Sequence, residues 1–184
     1  MEVRISDTLD EDKGGDSLRE VGNEAVWTLS TAKPGNGVEQ LRDENLETYW
    51  QSDGTQPHLI NVQFLKKATI SKLSLYLDYA TDESYTPKKL SIRSGTSQHD
   101  LTDVATIDLH EPVGWVTVHL ADDSKQDLRT HLVQVRVLSM HQNGRDTHIR
   151  HVKLFGPRAS FPVMGGVSLD RFHTSEMQQF AVLR

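Results

Sequence analysis

The sequence predicts an all-β domain, an antiparallel β-sandwich of jelly-roll type. Two observations support this fold class. Apolar residues alternate with polar ones at a period of two in short segments between residues 25 and 155. Turn-forming residues separate these segments about every eight to fifteen positions. About eight strands in about 130 residues are typical of a sandwich and not of a helical or mixed α/β domain.

The predicted strands follow one another along the chain with few interruptions. They are centred on residues 60–64, 73–77, 90–92, 105–109, 116–120, 132–137 and 149–155. Proline, glycine or a cluster of aspartates marks the turns between them, as at Pro57, Pro87, Gly95 and 122–124. One short helix is predicted within residues 38–46, where Val38, Leu41 and Leu46 have helical spacing.

The two ends of the chain differ in composition from this central domain, residues 18–156. Residues 1–17 are rich in acids and poor in apolar residues, which predicts a disordered, solvated arm. Residues 157–184 lose the alternation and contain further glycine and proline, which predicts a flexible tail. Its apolar end either folds back on the sandwich or enters the groove of a partner, with Leu183 and Arg184 as the anchor.

Composition excludes several classes of protein. A net charge of −6 and a pI near 5.8 argue against binding to nucleic acid or to anionic membranes. The absence of cysteine excludes disulfides, thiolate zinc sites and a cysteine nucleophile. The acidic first residues lack the features of a signal peptide, and no apolar run is long enough for a membrane helix. We therefore expect a soluble, intracellular protein.

Residues 141–150, with the sequence HQNGRDTHIR, are the main candidate for a binding site. They place polar groups between two predicted strands, so that a rigid scaffold would hold a recognition loop. An ordinary hairpin turn is the alternative, because Asn-Gly is a common connector. Ten mostly polar residues exceed what a tight turn needs. The candidates for binding are the amides, the guanidinium, the carboxylate, the hydroxyl and the imidazole of Gln142, Asn143, Gly144, Arg145, Asp146, Thr147 and His148.

Two further segments are rich in polar and aromatic residues. Residues 45–54 contain Tyr49 and Trp50, and we expect Trp50 to belong to the core and not to a ligand platform. Residues 79–87 form a predicted interstrand loop that contains Asp82 and Glu83. Adjacent acids do not have the alternate spacing of a dedicated calcium loop, so we predict no metal site.

No catalytic centre is apparent in the sequence. No nucleophile elbow, phosphate-binding glycine loop or paired-carboxylate signature is present, and a hydrolase would have no motif behind it. The histidines His141, His148 and His151 lack the spacing of a zinc site, and we expect them to be solvated loop residues. The sequence therefore predicts a non-enzymatic protein without a cofactor.

Three motifs together resemble one known family. NLETYWQSDG at 45–54, DESYTP at 82–87 and HQNGRDTH at 141–148 closely resemble the Doc family, subunit ten of the anaphase-promoting complex. The resemblance runs from about residue 18 to residue 155, and more weakly to the end of the chain. It implies a galactose-binding-like jelly roll that recognises substrates in a ubiquitin ligase without catalysing a reaction. It also implies a role in mitosis, and a location in the nucleus and cytoplasm.

The resemblance further implies partners and roles for particular residues. With a propeller-type co-activator, the domain would form half of a receptor for the destruction box and would raise the processivity of ubiquitination. The degron would contact the 142–148 loop together with Ser84 and Tyr85. Relatives end in Ile-Arg and insert this tail into a helical-repeat scaffold subunit; this chain ends in Leu183-Arg184, which preserves volume and apolarity. The alternative function is a carbohydrate-binding module, because galactose-binding-like domains also present polar loop residues.

Overall fold

A computed structural model describes residues 3–6, 18–120 and 126–158 of the chain. Within them lie twelve strands, two short helices, α1 (Val38–Arg42) and α2 (Tyr79–Asp82), and three 3-10 turns, Gly22–Glu24, Glu83–Tyr85 and His141–Asn143. The strands are β1 (Val3–Ser6), β2 (Leu18–Glu20), β3 (Ala25–Leu29), β4 (Trp50–Gln51), β5 (His58–Ile70), β6 (Lys72–Asp78), β7 (Pro87–Gly95), β8 (Thr102–Asp108), β9 (Val113–His119), β10 (Leu128–Met140), β11 (His148–Ile149) and β12 (His151–Pro157).

The strands form two five-stranded antiparallel sheets. One sheet has the strand order β1-β9-β6-β12-β2, and the other has the order β3-β5-β10-β7-β8. A small two-stranded sheet pairs β4, which precedes β5 in the chain, with β11, which lies between β10 and β12. The predicted antiparallel β-sandwich is therefore confirmed. None of the helices in the described residues is long and apolar enough to cross a membrane.

The core lies between the inner faces of the two sheets. In β6, Leu73, Leu75 and Leu77 are buried, because alternate side chains of a strand point to the same face. Alternate residues of β5 and β10, such as Val62 and Val135, belong to the same core cluster. The period-two pattern of the sequence thus corresponds to the inner faces of the sandwich.

The amino-terminal arm differs in part from its prediction. Residues 3–6, inside the predicted disordered arm, form strand β1, in which Val3 lies opposite Val118 and Ser6 opposite Trp115 of β9. Strand β1 therefore lies within the segment that was predicted to be a disordered arm. The other arm residues, and residues 159–184 of the predicted 157–184 tail, including Leu183 and Arg184, lie outside the described residues.

Two elements at the start of the domain were not predicted. Strands β2 and β3 are short, and β3 has the burial pattern of a strand with one exposed face. Helix α1 lies within the predicted 38–46 segment, with Leu41 buried. The chain passes from β10 to β12 through the segment predicted to bind ligands.

Candidate functional site

The 141–150 segment is a braced loop at one end of the sandwich. It begins as a 3-10 turn directly after β10 and returns through β11, which pairs with β4. The backbone N–H of His141 donates to Thr86 O at 2.9 Å and ties the turn to the start of β7. The prediction of a loop between two strands is therefore confirmed.

The loop exposes only part of its predicted binding set. Gln142, Asn143 and Arg145 are exposed, and Asp146 is half-buried. Gln142 and Asn143 adopt left-handed backbone conformations, with φ of 51° and 56°. The polar groups that the loop offers to solvent are therefore mainly those of Gln142, Asn143 and Arg145.

Gly144 is required by close packing and not by its backbone angle. Its φ is −58°, so the left-handed residues precede it. A Cβ atom at Gly144 would lie 1.8 Å from the carbonyl oxygen of Ser84. The loop and the 83–85 turn are thus in backbone contact, although about 60 positions separate them in the sequence.

Side-chain hydrogen bonds join the loop to α2 and to the 83–85 turn. The amide of Gln142 donates to the hydroxyl of Tyr79 at 3.3 Å, and Thr147 Oγ1 donates to Tyr85 O at 3.2 Å. Ser84 is half-buried and Tyr85 is 39% exposed beside them. The structure therefore brings the predicted residues together on one surface, the recognition rim, which consists of Ser84, Tyr85, Gln142, Asn143 and Arg145.

A third segment, residues 52–58, makes hydrogen bonds to the backbone of the loop. Ser52 exchanges hydrogen bonds with Thr147, through Ser52 Oγ at 2.9 Å and through the two backbones at 3.2 Å. The side chain of Gln56 donates to Gly144 O at 3.1 Å, and His58 Nε2 lies 2.7 Å from Arg145 O. These bonds fix the carbonyl groups of the loop, so its exposed side chains project from an ordered backbone.

A buried ionic network lies directly beneath the rim. Arg150 Nε and Nη2 donate to the two carboxylate oxygens of Asp82, each at 2.9 Å, and Arg150 Nη1 donates to Leu46 O at 3.0 Å. His148 Nδ1 lies 3.2 Å from Asp82 Oδ1. The His148 ring is stacked between Tyr49 and Tyr85, with both centroid distances at 4.1 Å. The network connects Asp82 of α2 to His148 of β11 and to Arg150, which lies between β11 and β12, and the stacked Tyr85 joins it to the 83–85 turn.

The network changes the acidity of its members. Burial alone raises the pKa of Asp82, but hydrogen bonds from His148 and Arg150, and the charge of Arg150, outweigh it and hold the pKa below its ordinary value. Burial alone lowers the pKa of Arg150, because it disfavours the charged form. The hydrogen bonds to Asp82 and the charge of Asp82 outweigh burial and raise the pKa above its ordinary value. Both groups are therefore charged at neutral pH.

The expectation of solvated histidines is wrong. His141, His148 and His151 are all buried. Burial is the main reason that the pKa values of His141 and His151 are lowered. Thr147 is also fully buried, so its hydroxyl supports the 83–85 turn and does not face a ligand. His148 likewise takes part in the network beneath the rim.

A cleft of about 770 Å³ adjoins the rim and the network. Tyr49, Tyr85 and His148 contribute its aromatic side, and Asp78, Asp82 and Glu83 contribute carboxylates. No group of His, Asp or Glu side chains within the described ranges has an arrangement that could hold a metal ion. The amides, guanidinium and phenol of the rim can exchange hydrogen bonds with an extended peptide, or with sugar hydroxyls.

Sequence reasoning missed the part that Arg150 and Tyr49 play in this network, and it considered Asp82 only for a calcium loop, which it rejected. The sequence offered one signal for the ion pair. Asp82 belongs to the 82–87 motif, and Arg150 follows the 141–148 motif by two residues. Trp50 lies where it was expected: it is fully buried, and its indole N–H donates to Thr31 O at 2.9 Å. Trp50 also lies opposite Ile149 in the β4–β11 pair.

Solved structures share the fold at low sequence identity. The family 32 carbohydrate-binding module of NanJ from C. perfringens, in complex with galactose, has a TM-score of 0.62 and 13% identity over 75% of this chain and 98% of that chain. The corresponding module of AlyQ, in complex with 4,5-unsaturated mannuronic acid, has a TM-score of 0.58 and 17% identity over 74% and 95%. These similarities confirm a galactose-binding-like fold.

Sequence relatives are much closer. "Anaphase-promoting complex subunit 10" of Mus musculus is 55% identical over 141 residues, 77% of this chain and 76% of the relative. The Drosophila melanogaster protein of that name is 47% identical over 180 residues, 97% and 90%. The Schizosaccharomyces pombe protein is 42% identical over 167 residues, 90% and 87%. The family model described as "Anaphase-promoting complex, subunit 10 (APC10)" matches residues 3–181, and the chain belongs to this family.

Proposed function

We propose that the chain is a non-catalytic substrate-recognition subunit of the anaphase-promoting complex. In this role it contributes one half of a destruction-box receptor, a co-activator contributes the other, and together they raise the processivity of ubiquitination. The observation that carries the proposal is the recognition rim, where two distant motifs meet on one exposed and braced surface. Family membership supports the coarser part of the proposal.

The rim suits the polar half of an extended degron. Gln142 and Asn143 offer amide donors and acceptors, Arg145 offers a guanidinium, and Tyr85 offers a hydroxyl and an aromatic face. A rim of this size would bind a peptide weakly on its own. A second receptor surface on a co-activator would then act together with it, because linked weak contacts multiply in effect.

In this role the chain would raise processivity without catalysing a reaction itself. A substrate that stays bound longer receives more ubiquitin before it dissociates, and each ~1.4 kcal/mol of contact changes the dissociation constant tenfold. The other proposed partners are a helical-repeat scaffold subunit, which Leu183 and Arg184 enter, and the destruction-box substrates that the ligase modifies in mitosis. The proposed location is accordingly the nucleus and cytoplasm.

Replacing Gln142, Asn143 and Arg145 together by Ala should shorten the ubiquitin chains made per encounter and spare the fold. All three side chains are exposed, and only Gln142 has a weak bond to the sandwich, at 3.3 Å. We expect about a tenfold weaker affinity for a destruction-box peptide. The measurement is single-encounter ubiquitination by complex that was depleted of the chain and supplied with the variant.

The matched control is Gln98→Ala with His99→Ala. Both residues are exposed in the turn between β7 and β8, at the opposite end of β7 from the rim. His148 and Asp146 are left unchanged, because their replacement would disturb the support of the loop. Wild-type chain lengths from a rim variant that assembles normally would show that the rim does not bind the degron.

The proposed tail anchor is tested with a peptide that covers residues 178–184. We expect it to bind purified helical-repeat scaffold, and we expect the same peptide with an amidated C-terminus to bind at least about tenfold more weakly, because capture of a carboxylate uses its charge. Equal binding by the two peptides would contradict carboxylate capture. Normal retention of a chain that lacks Leu183 and Arg184, with no binding by either peptide, would contradict the anchor altogether.

The carbohydrate-binding alternative is supported by the shared fold alone. A glycan array tests it directly, with the isolated chain and the same triple rim variant. The alternative would be favoured over the proposal by two results together: the chain binds a sugar and the rim variant does not, while the rim variant keeps the wild-type affinity for the degron.

A further inference from the structure

A large bulge interrupts strand β5 at the end of the sandwich opposite the recognition rim. Leu132 of β10 pairs with Gln63, and Thr130 pairs with Ala68, so in this strand pair four residues of β5, 64–67, stand opposite the single residue His131. The side chain of Gln63 donates to His131 O at 3.1 Å and fixes the base of the bulge. Bulges of this kind commonly redirect side chains toward functional surfaces.

The bulge exposes one apolar side chain next to two lysines. Leu65 is 88% exposed, and Lys66 and Lys67 are exposed beside it. These three residues are the basic knob. A single exposed leucine is ordinary on a protein surface. This one differs because it projects from a fixed bulge and adjoins an apolar groove.

The groove beside the basic knob has a volume of about 520 Å³. Val21 and Phe64 are buried within it, and Ala68 and Pro157 add apolar surface. Arg19 also lines the groove, and its charge is balanced by an ion pair with Glu24. The two lysines therefore leave a local positive excess in a chain whose net charge is −6.

We propose that the basic knob and its groove are a docking surface for an acidic segment, bearing an apolar side chain, of another subunit of the complex. The groove accepts the apolar side chain beside Leu65, and the carboxylates lie against Lys66 and Lys67. Charge complementarity selects an acidic partner, because opposite potentials steer and orient protein partners. The inference rests on membership of a multisubunit complex and does not depend on the degron role of the rim.

The position of the surface fits this role. The basic knob lies beside the start of β10, and the recognition rim follows the end of β10. About ten residues of strand separate them, or roughly 30 Å. A contact at the knob therefore leaves the rim free for a substrate.

The test uses complex reconstituted with the full chain and measures how fast the chain dissociates. We expect Lys66→Glu with Lys67→Glu to raise the dissociation rate about tenfold or more, and Leu65→Asp to act in the same direction. We expect Lys66→Arg with Lys67→Arg to retain the wild-type rate, because the charge is kept. Wild-type retention should weaken between about 50 and 300 mM salt, and retention of the Glu variant should lose most of this dependence.

Controls separate the knob from net charge and from folding. Lys33→Glu with Lys88→Glu makes the same charge change at exposed positions away from the knob, and we expect wild-type retention. An equal loss of retention in this control would overturn the proposal, as would wild-type retention of the Lys66→Glu, Lys67→Glu variant. An unchanged melting temperature shows that the knob variants fold.

A photo-crosslinker identifies the occupant. With p-benzoylphenylalanine at position 65 in the assembled complex, we expect adducts in an acidic stretch of another subunit. Adducts confined to residues 7–17 of the chain itself, which are also acidic, would overturn the proposal. At saturating concentrations, a knob variant should restore normal ubiquitin chain lengths, whereas a rim variant should not, so failure of this proposal and failure of the degron role can be told apart.

Discussion

Replacing Asp82 by Ala should destabilise the domain by about 3–5 kcal/mol. Asp82 is buried and accepts both hydrogen bonds of the Arg150 fork as well as a contact from His148. Its removal would leave the guanidinium buried without a counter-ion, and this uncompensated charge is the main cost. Equilibrium unfolding in urea, with the isolated chain, measures the loss.

A double variant tests whether the uncompensated charge is the cause. Asp82→Leu with Arg150→Met removes both charges and keeps apolar volume, so it should be more stable than Asp82→Ala alone. If the double variant were the less stable of the two, the packing of the Arg150 side chain, and not its charge, would carry the stability.

The pH dependence of the same interaction has a definite sign. The pKa of Asp82 is lowered in the folded domain, so its ionised form contributes stability above the unfolded pKa of about 3.9. This contribution is lost as the pH falls through the folded pKa. The stability difference between the wild type and Asp82→Asn should therefore narrow below about pH 4. A difference that stays constant to about pH 2 would show that the pKa of Asp82 is the same in the folded and unfolded states.

The sandwich could be predicted because its signal is local. In β5, β6 and β10, alternate residues are buried against the opposite sheet, and the pattern is visible in a few consecutive letters. Strands β2 and β4 have only three and two residues, too few to show a period. Strand β1 stands in an acidic segment, and only its pairing with β9 identifies it as a strand.

The site was predictable at the level of motifs but not of contacts. The exposed residues of the 141–150 loop and the neighbours Ser84 and Tyr85 do lie on one surface. However, Asp82 and Arg150 are 68 positions apart and meet only because β6 pairs with β12, with Tyr76 opposite His151. No sequence period encodes such a long-range register, so the network beneath the rim could not be predicted from the sequence.

The burial of the histidines could not be predicted from the local sequence either. A histidine in a polar loop sequence is usually solvated. Here the aromatic side chains of Tyr49 and Tyr85 come from two other segments and enclose His148. Burial by residues that are distant in the sequence overrode the local expectation. His148 consequently supports the rim from within the buried network.

Replacing Trp50 by Ala should destabilise the domain by roughly 3–5 kcal/mol, as expected for the loss of a fully buried aromatic side chain. The change would leave a cavity in the core and an unpaired carbonyl at Thr31, which accepts the indole N–H. Since Trp50 lies opposite Ile149 in the β4–β11 pair, the cavity would lie beside the base of the recognition loop. Degron binding should therefore fail through unfolding, and a thermal melt measures this directly.

Trp50→Phe separates the two contributions. It keeps most of the apolar volume and removes only the indole hydrogen bond, so we expect a smaller loss of about 1–3 kcal/mol. A stabilising ligand should restore part of the lost stability in both variants, because binding to the folded state shifts the unfolding equilibrium. An unchanged melt for Trp50→Ala, combined with loss of degron affinity, would instead place Trp50 in direct contact with the ligand. In that case the buried position of its indole could not be the conformation that binds.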